Sequence, residues 1–146
     1  MNKGYYTNDA VQTIQPGASA VFNTVVSNDD VGHVDGTGSF ILSGGPKRPQ
    51  RCNCCNRQSC KRYSVNFGAN IAVPTGETVG PISVALSVSG GTVPASTMIV
   101  TPAAVEEYFN VSTDILVPIV CGCCQSVTVT NLSTIPINMQ NASITI

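Results

Sequence analysis

From Arg62 to Val73 the chain reads RYSVNFGANIAV, with Tyr63, Val65, Phe67, Ala69, Ile71 and Val73 set apart by Ser64, Asn66, Gly68 and Asn70. A period of two puts every second side chain on the same side of an extended chain, so the stretch predicts a strand with one buried and one open face. ISVALSV, residues 82–88, repeats the pattern, and the PTGETVGP between them is dense in Pro and Gly, which interrupt a ladder. Upstream, ASAVFNTVV and GSFILSG are shorter strand candidates on either side of SNDDVGHVDGTG, whose Asp35-Gly36 suits a tight turn. Downstream, TMIVT, DILVPIV, SVTVTN, TIPINM and ASITI are short, rich in β-branched residues and separated by Asn, Pro or Ser. One stretch predicts a short helix: TPAAVEEYF, 101–109, with Thr101 as N-cap and Pro102 in the first turn.

About eight to ten short strands and almost no helix predict an all-β fold, an antiparallel sandwich, jelly roll or barrel. Residues 1–17 show no alternation and end at Gln15-Pro16-Gly17, so they predict an N-terminal arm ahead of a β domain at 18–146. A neighbouring subunit would order such an arm. The opening MNKGYYTNDAVQ has no apolar run, which predicts synthesis in the cytoplasm without a secretory signal, and no later run is long enough for a membrane span.

Charge changes the picture more than length does. Only 10% of residues are charged and the net charge is −1, which argues against a nucleic-acid partner, while the lack of a span-length apolar run leads to no expected membrane partner. The surface must then be built from Ser, Thr, Asn, Gln and backbone, which protects poorly against self-association.

Reactive side chains gather in two places: RCNCCNRQSC at 51–60 and CGCC at 121–124 hold all seven cysteines. Cys52 with Cys55, and Cys121 with Cys124, are spaced C-x2-C, and two such pairs could close a structural zinc site. Each knot also carries a further cysteine inside its pair, Cys54 or Cys123, and Cys60 follows the first. Disulfides between the knots, stapling a Cys-rich loop at 44–62 to the late strands, are the competing reading, with one thiol left over. Free thiols are the third reading, and all three are structural. Lys47, Arg48, Arg51, Arg57, Lys61 and Arg62 lie in or beside this loop, where they read as a solvated basic group.

Catalysis finds little to work with. Acid–base chemistry near neutral pH most often uses histidine, and the single one, His33, falls in a turn-rich stretch where it reads as a surface turn residue. Asp29, Asp30 and Asp35 lack the spacing and closing glutamate of a calcium loop. Asn110, Asn131 and Asn141 begin Asn-x-Ser sequons that chance explains in a chain rich in both residues. No catalytic residue and no cofactor beyond the candidate zinc are expected.

Taken together, AVFNTVVSNDDVGHVDGTGSFILSG, YSVNFGANIAV and the closing VTVTNLSTIPINMQNASITI resemble the trimeric jelly-roll heads of the complement and tumour necrosis factor type, in the branch found on spore coats and virions. The resemblance rests on Phe22-Asn23, a glycine turn before Phe40, Tyr63-x-Val-x-Phe67, and the Asn131 turn leading to Asn141-Ala142-x-Ile144. TMIVTPAAVEEYFNVS with the CGCC knot resembles short proteins encoded by phages and prophages of Gram-positive gut bacteria. The likeness implies a TNF-like homotrimer acting as a structural virion protein, a decoration protein on the capsid surface of a bacteriophage. Its partner would be the major capsid protein or another virion surface protein. A spore-surface protein, or a receptor- or glycan-binding module of a tail or fibre, are the alternatives. The chain departs from that family in its inserted cysteine loop and in having no collagen-like stalk.

Overall fold

The computed structural model describes residues 4–29, 31–34, 36–44, 59–120 and 123–146, with the backbone alone at 59 and 60. Among them are twelve strands and one turn of 3-10 helix at Pro94–Ser96. The strands are β1 (Gly4–Asn8), β2 (Gln12–Ile14), β3 (Thr24–Asn28), β4 (Gly32–His33), β5 (Phe40–Ser43), β6 (Ser59–Ala72), β7 (Ile82–Val88), β8 (Gly91–Thr92), β9 (Met98–Val100), β10 (Phe109–Val120), β11 (Cys124–Asn131) and β12 (Ile137–Thr145). They form two six-stranded sheets. The first runs β10-β6-β12-β1-β3 with β2 also on β12, and the second runs β4-β5-β11-β7-β8 with β9 also on β7. Every pair is antiparallel.

Alternation explains how the sheets meet. Val65, Phe67, Ala69 and Ile71 of β6 and Ile137, Met139 and Ile144 of β12 turn inward from the first sheet. Phe40 and Leu42 of β5, Ile82, Val84 and Leu86 of β7, and Val127 and Val129 of β11 meet them from the second. Each large side chain buried this way is worth about 1.5–3 kcal/mol relative to exposure. The result is an antiparallel jelly-roll sandwich, the fold class the patterning and the resemblance lead one to expect.

Three expectations are corrected. Residues 4–14 are not an arm: β1 lies between β12 and β3, β2 also pairs with β12, and Tyr6 is fully buried in the core. Their pattern is hidden because Tyr6 and Ile14 are anchors in strands too short to display a period. TPAAVEEYF is not a helix: residues 103–106 bend and turn, Glu106 stands at φ 58, and Phe109 already opens β10. Glu107 Oε2 accepts from the N–H groups of Ala103 and Ala104 at 2.9 and 3.1 Å, and the Glu106 N–H donates to Val73 O at 2.8 Å, so donors a helix would need are spent elsewhere. TIPINM and ASITI are not two strands, because Ile137–Thr145 is continuous through a bulge after Gln140. That merger, with four short strands the periodicity misses (β1, β2, β4 and β8), makes twelve where eight to ten were expected.

Candidate functional site

His33 is held between rings and carbonyls. Its imidazole stacks on Phe40 at 4.3 Å between centroids and 11°, and meets Tyr6 edge-on at 4.8 Å. Nδ1 lies 3.0 Å from the Ser39 carbonyl oxygen and Nε2 lies 3.1 Å from that of Phe22. Rather than a free turn residue, the histidine is half-buried and clips β4, β5 and the Phe22 segment together. Asp29 is exposed beyond the end of β3.

A second polar centre, which sequence reasoning missed, forms where 101–108 folds back. Glu106 Oε1 accepts from the Thr75 N–H at 3.1 Å, the Thr75 hydroxyl at 3.3 Å and Asn138 Nδ2 at 3.1 Å, while Oε2 accepts from the Tyr108 hydroxyl at 3.3 Å. Burial first and the Glu106 charge second push the Tyr108 phenol above its ordinary 10.0. The four donors tie three chain segments to one carboxylate, which is architectural work.

The cysteine expectations fall largely outside the described residues: Cys52, Cys54, Cys55 and Cys121 lie beyond them, as does the Cys60 side chain. Cys123 is disulfide-bonded, and Cys124 is a free, exposed thiol at the start of β11. Among the described residues no cluster of His, Cys, Asp or Glu could hold a metal ion. The backbone does bring the borders of the two knots together. Val120 pairs with Ser59 at the mouth of the first loop, and the Gly44 N–H donates to the Cys123 carbonyl at 2.9 Å. Of the basic group, Lys61 and Arg62 are described, half-buried and exposed. The Asn131 sequon is inaccessible: its amide donates to Ile14 O and Ile135 O and accepts from the Ser133 N–H, at 1% exposure.

The outward face of the first sheet runs from polar rows at its middle to the exposed Leu116, paired with Ser64, and Pro118, paired with Arg62. The register aligns side chains from four strands in rows: Tyr5, Thr145, Asn66 and Asp114; then Thr7, Ser143, Gly68 and Ser112; then Gln140, Asn70 and Asn110. Asp114 is the one charge in these rows. Asn110 Nδ2 donates to Asn70 Oδ1 at 3.2 Å across the strand pair. Gly68 sits at the centre, on the longest strand, beside the bulge between Gln140 and Ser143.

No family model and no curated protein matches the chain. Among solved structures, the globular domain of zebrafish complement 1qA protein superposes with a TM-score of 0.63 at 15% identity, over 99% of this chain and 94% of that one. The C-terminal domain of EclA, a sugar-binding protein, aligns at a TM-score of 0.44 and 10% identity over 94% of this chain and 78% of that one. A family 35 carbohydrate binding module from Clostridium thermocellum aligns at 0.40 and 10% over 99% and 95%. The complement structure establishes a likeness of fold: a jelly-roll head of the complement and TNF kind.

Proposed function

We propose that this chain is a non-enzymatic structural head that assembles as a homotrimer and is displayed on the surface of a bacteriophage virion, seated on the major capsid protein or another virion surface protein. The observation that carries the assembly is β3. All five of its residues are exposed, and it ends the order of its sheet, with Val25 and Val26 at 42% and 56% exposure. A strand wet on both faces and along one edge invites a partner, and few charges stand elsewhere on the chain to prevent association. The virion is supported by the likeness of TMIVTPAAVEEYFNVS and the CGCC knot to phage-encoded proteins. The absence of catalysis is supported by the packing of His33 against two rings, with one ring nitrogen free to donate to a carbonyl, and by the Glu106 carboxylate accepting from four donors.

Two measurements test this. Sedimentation velocity of the purified protein is expected to give three times the 15.2 kDa of one chain, and a single-chain species would overturn the trimer. Mass spectrometry of purified phage particles and of spores is expected to find the protein in the virion fraction; finding it on spores alone would transfer the same structural role to the spore surface.

A further inference from the structure

We infer that His33 makes the edge of the second sheet acid-sensitive: its ring completes the clip between β4, β5 and the Phe22 segment only as an imidazolium, so the fold tightens on taking up a proton. Nδ1 lies 3.0 Å from the Ser39 carbonyl oxygen and Nε2 lies 3.1 Å from the Phe22 carbonyl oxygen. A neutral imidazole has one N–H, on one nitrogen or the other, and a carbonyl oxygen can only accept. Whichever tautomer forms, one nitrogen lone pair is aimed at an oxygen lone pair. Protonation replaces that contact with a second hydrogen bond and makes both bonds charge-assisted. The stacking acts in the same direction. Phe40 lies nearly parallel to the imidazole at 4.3 Å and 11°, where the face of an aromatic ring attracts a cation. Burial opposes the charge, and the ring is only half-buried.

The clip holds an edge whose ladder is short. β4 ends the order of its sheet and pairs with β5 at two positions, Gly32 with Ile41 and His33 with Phe40. The Phe22 carbonyl reached by Nε2 also accepts from the Gly36 N–H at 3.1 Å, and the Phe22 N–H donates to Thr37 O at 3.0 Å, so the ring closes the turn that joins β4 to β5. Three elements pack on the ring. From β1 comes one titratable side chain, Tyr6, and a phenol stays neutral below about pH 8. β5 and residues 19–23 bring none. Asp29 is exposed beyond β3, and Asp30 and Asp35 lie outside the described residues. A folded chain that holds a proton more tightly than the unfolded chain is stabilised below the ordinary imidazole range, about pH 6.5, and loses that stability as the pH climbs above it.

His33 is the one histidine of the chain, so its ring signals need no assignment. Nitrogen NMR of the intact protein labelled at histidine is expected to show both ring nitrogens protonated at about pH 7.5, and only one after unfolding in urea. Urea unfolding at a fixed protein concentration reads the consequence in the native chain, His33→Phe and Asp35→Asn. Between about pH 5.5 and about pH 8, the native midpoint is expected to fall by at least about 0.5 M more than that of His33→Phe, which keeps a stacked ring without a nitrogen. Asp35→Asn is expected to follow the native chain. The inference is overturned if the folded ring carries a single proton at about pH 7.5, or if the native chain and His33→Phe lose the same stability. It is equally overturned if Asp35→Asn abolishes the difference, because a nearby charge rather than the two carbonyls would then hold the proton. The NMR measurement decides the question even if His33→Phe fails to fold.

Discussion

Tyr108 shares the Glu106 carboxylate with Thr75 and Asn138. Burial, then the carboxylate's charge, hold its phenol protonated above 10.0. An unfolded chain loses that proton near 10.0, so the associated stability is present below that pH and fades as pH rises through the higher folded value. Following phenolate absorbance in the native chain and in Tyr108→Phe is expected to isolate one phenol titrating above 10.0. In Glu106→Gln that titration should move part of the way back, the remainder belonging to burial; an unchanged midpoint would show that the charge plays no part. The alternation at β6 made its buried and open residues legible from the sequence, whereas Glu106 and His33 were not. Glu106 finds Thr75 thirty-one positions away and Asn138 thirty-two away. His33 finds rings from β1 and β5, and no local pattern signals such meetings.

Among the elements, β1 departs most from its reading as part of an arm. It pairs with β12 from Tyr5 to Asn8 and with β3 from Gly4 to Thr7, and the N–H groups of Gly4 and Ile146 each donate to the other's carbonyl at 2.8 Å. A chain lacking residues 1–17 is therefore expected to lose its cooperative urea transition rather than merely detach from a partner. Tyr6→Ala alone is expected to lower the unfolding free energy by about 3–5 kcal/mol, a large share of the roughly 5–15 kcal/mol of a typical domain. Circular dichroism of the shortened chain checks the first; a native-like transition would contradict the central placing of β1. Conversely, β7 occupies the 82–88 that periodicity marks out, because its side chains alternate over seven positions. Five positions of β1 with two tyrosines side by side give no such record.

At the scale of the whole molecule, the exposed apolar residues decide how it is displayed. Val26 belongs to no part of the core, so Val26→Lys should change the monomer's stability by no more than about 0.5 kcal/mol. If β3 lies in the trimer contact, the same change buries a charge there, and sedimentation is expected to show single folded chains. A trimer that survives the substitution would move the contact to another surface.

What the sequence determined by itself was the fold class and the inward face of the long strands, because a period of two is a local property that survives without knowing what a strand pairs with. It also determined that the surface would be poor in charge. Tertiary structure alone decided that the N-terminal strand is central, that a stretch with a helix start signal turns instead, and that Glu106 collects donors from Thr75 and Asn138. Each of these depends on register between segments far apart in the chain, where one pairing rather than another sets which side chains share a row.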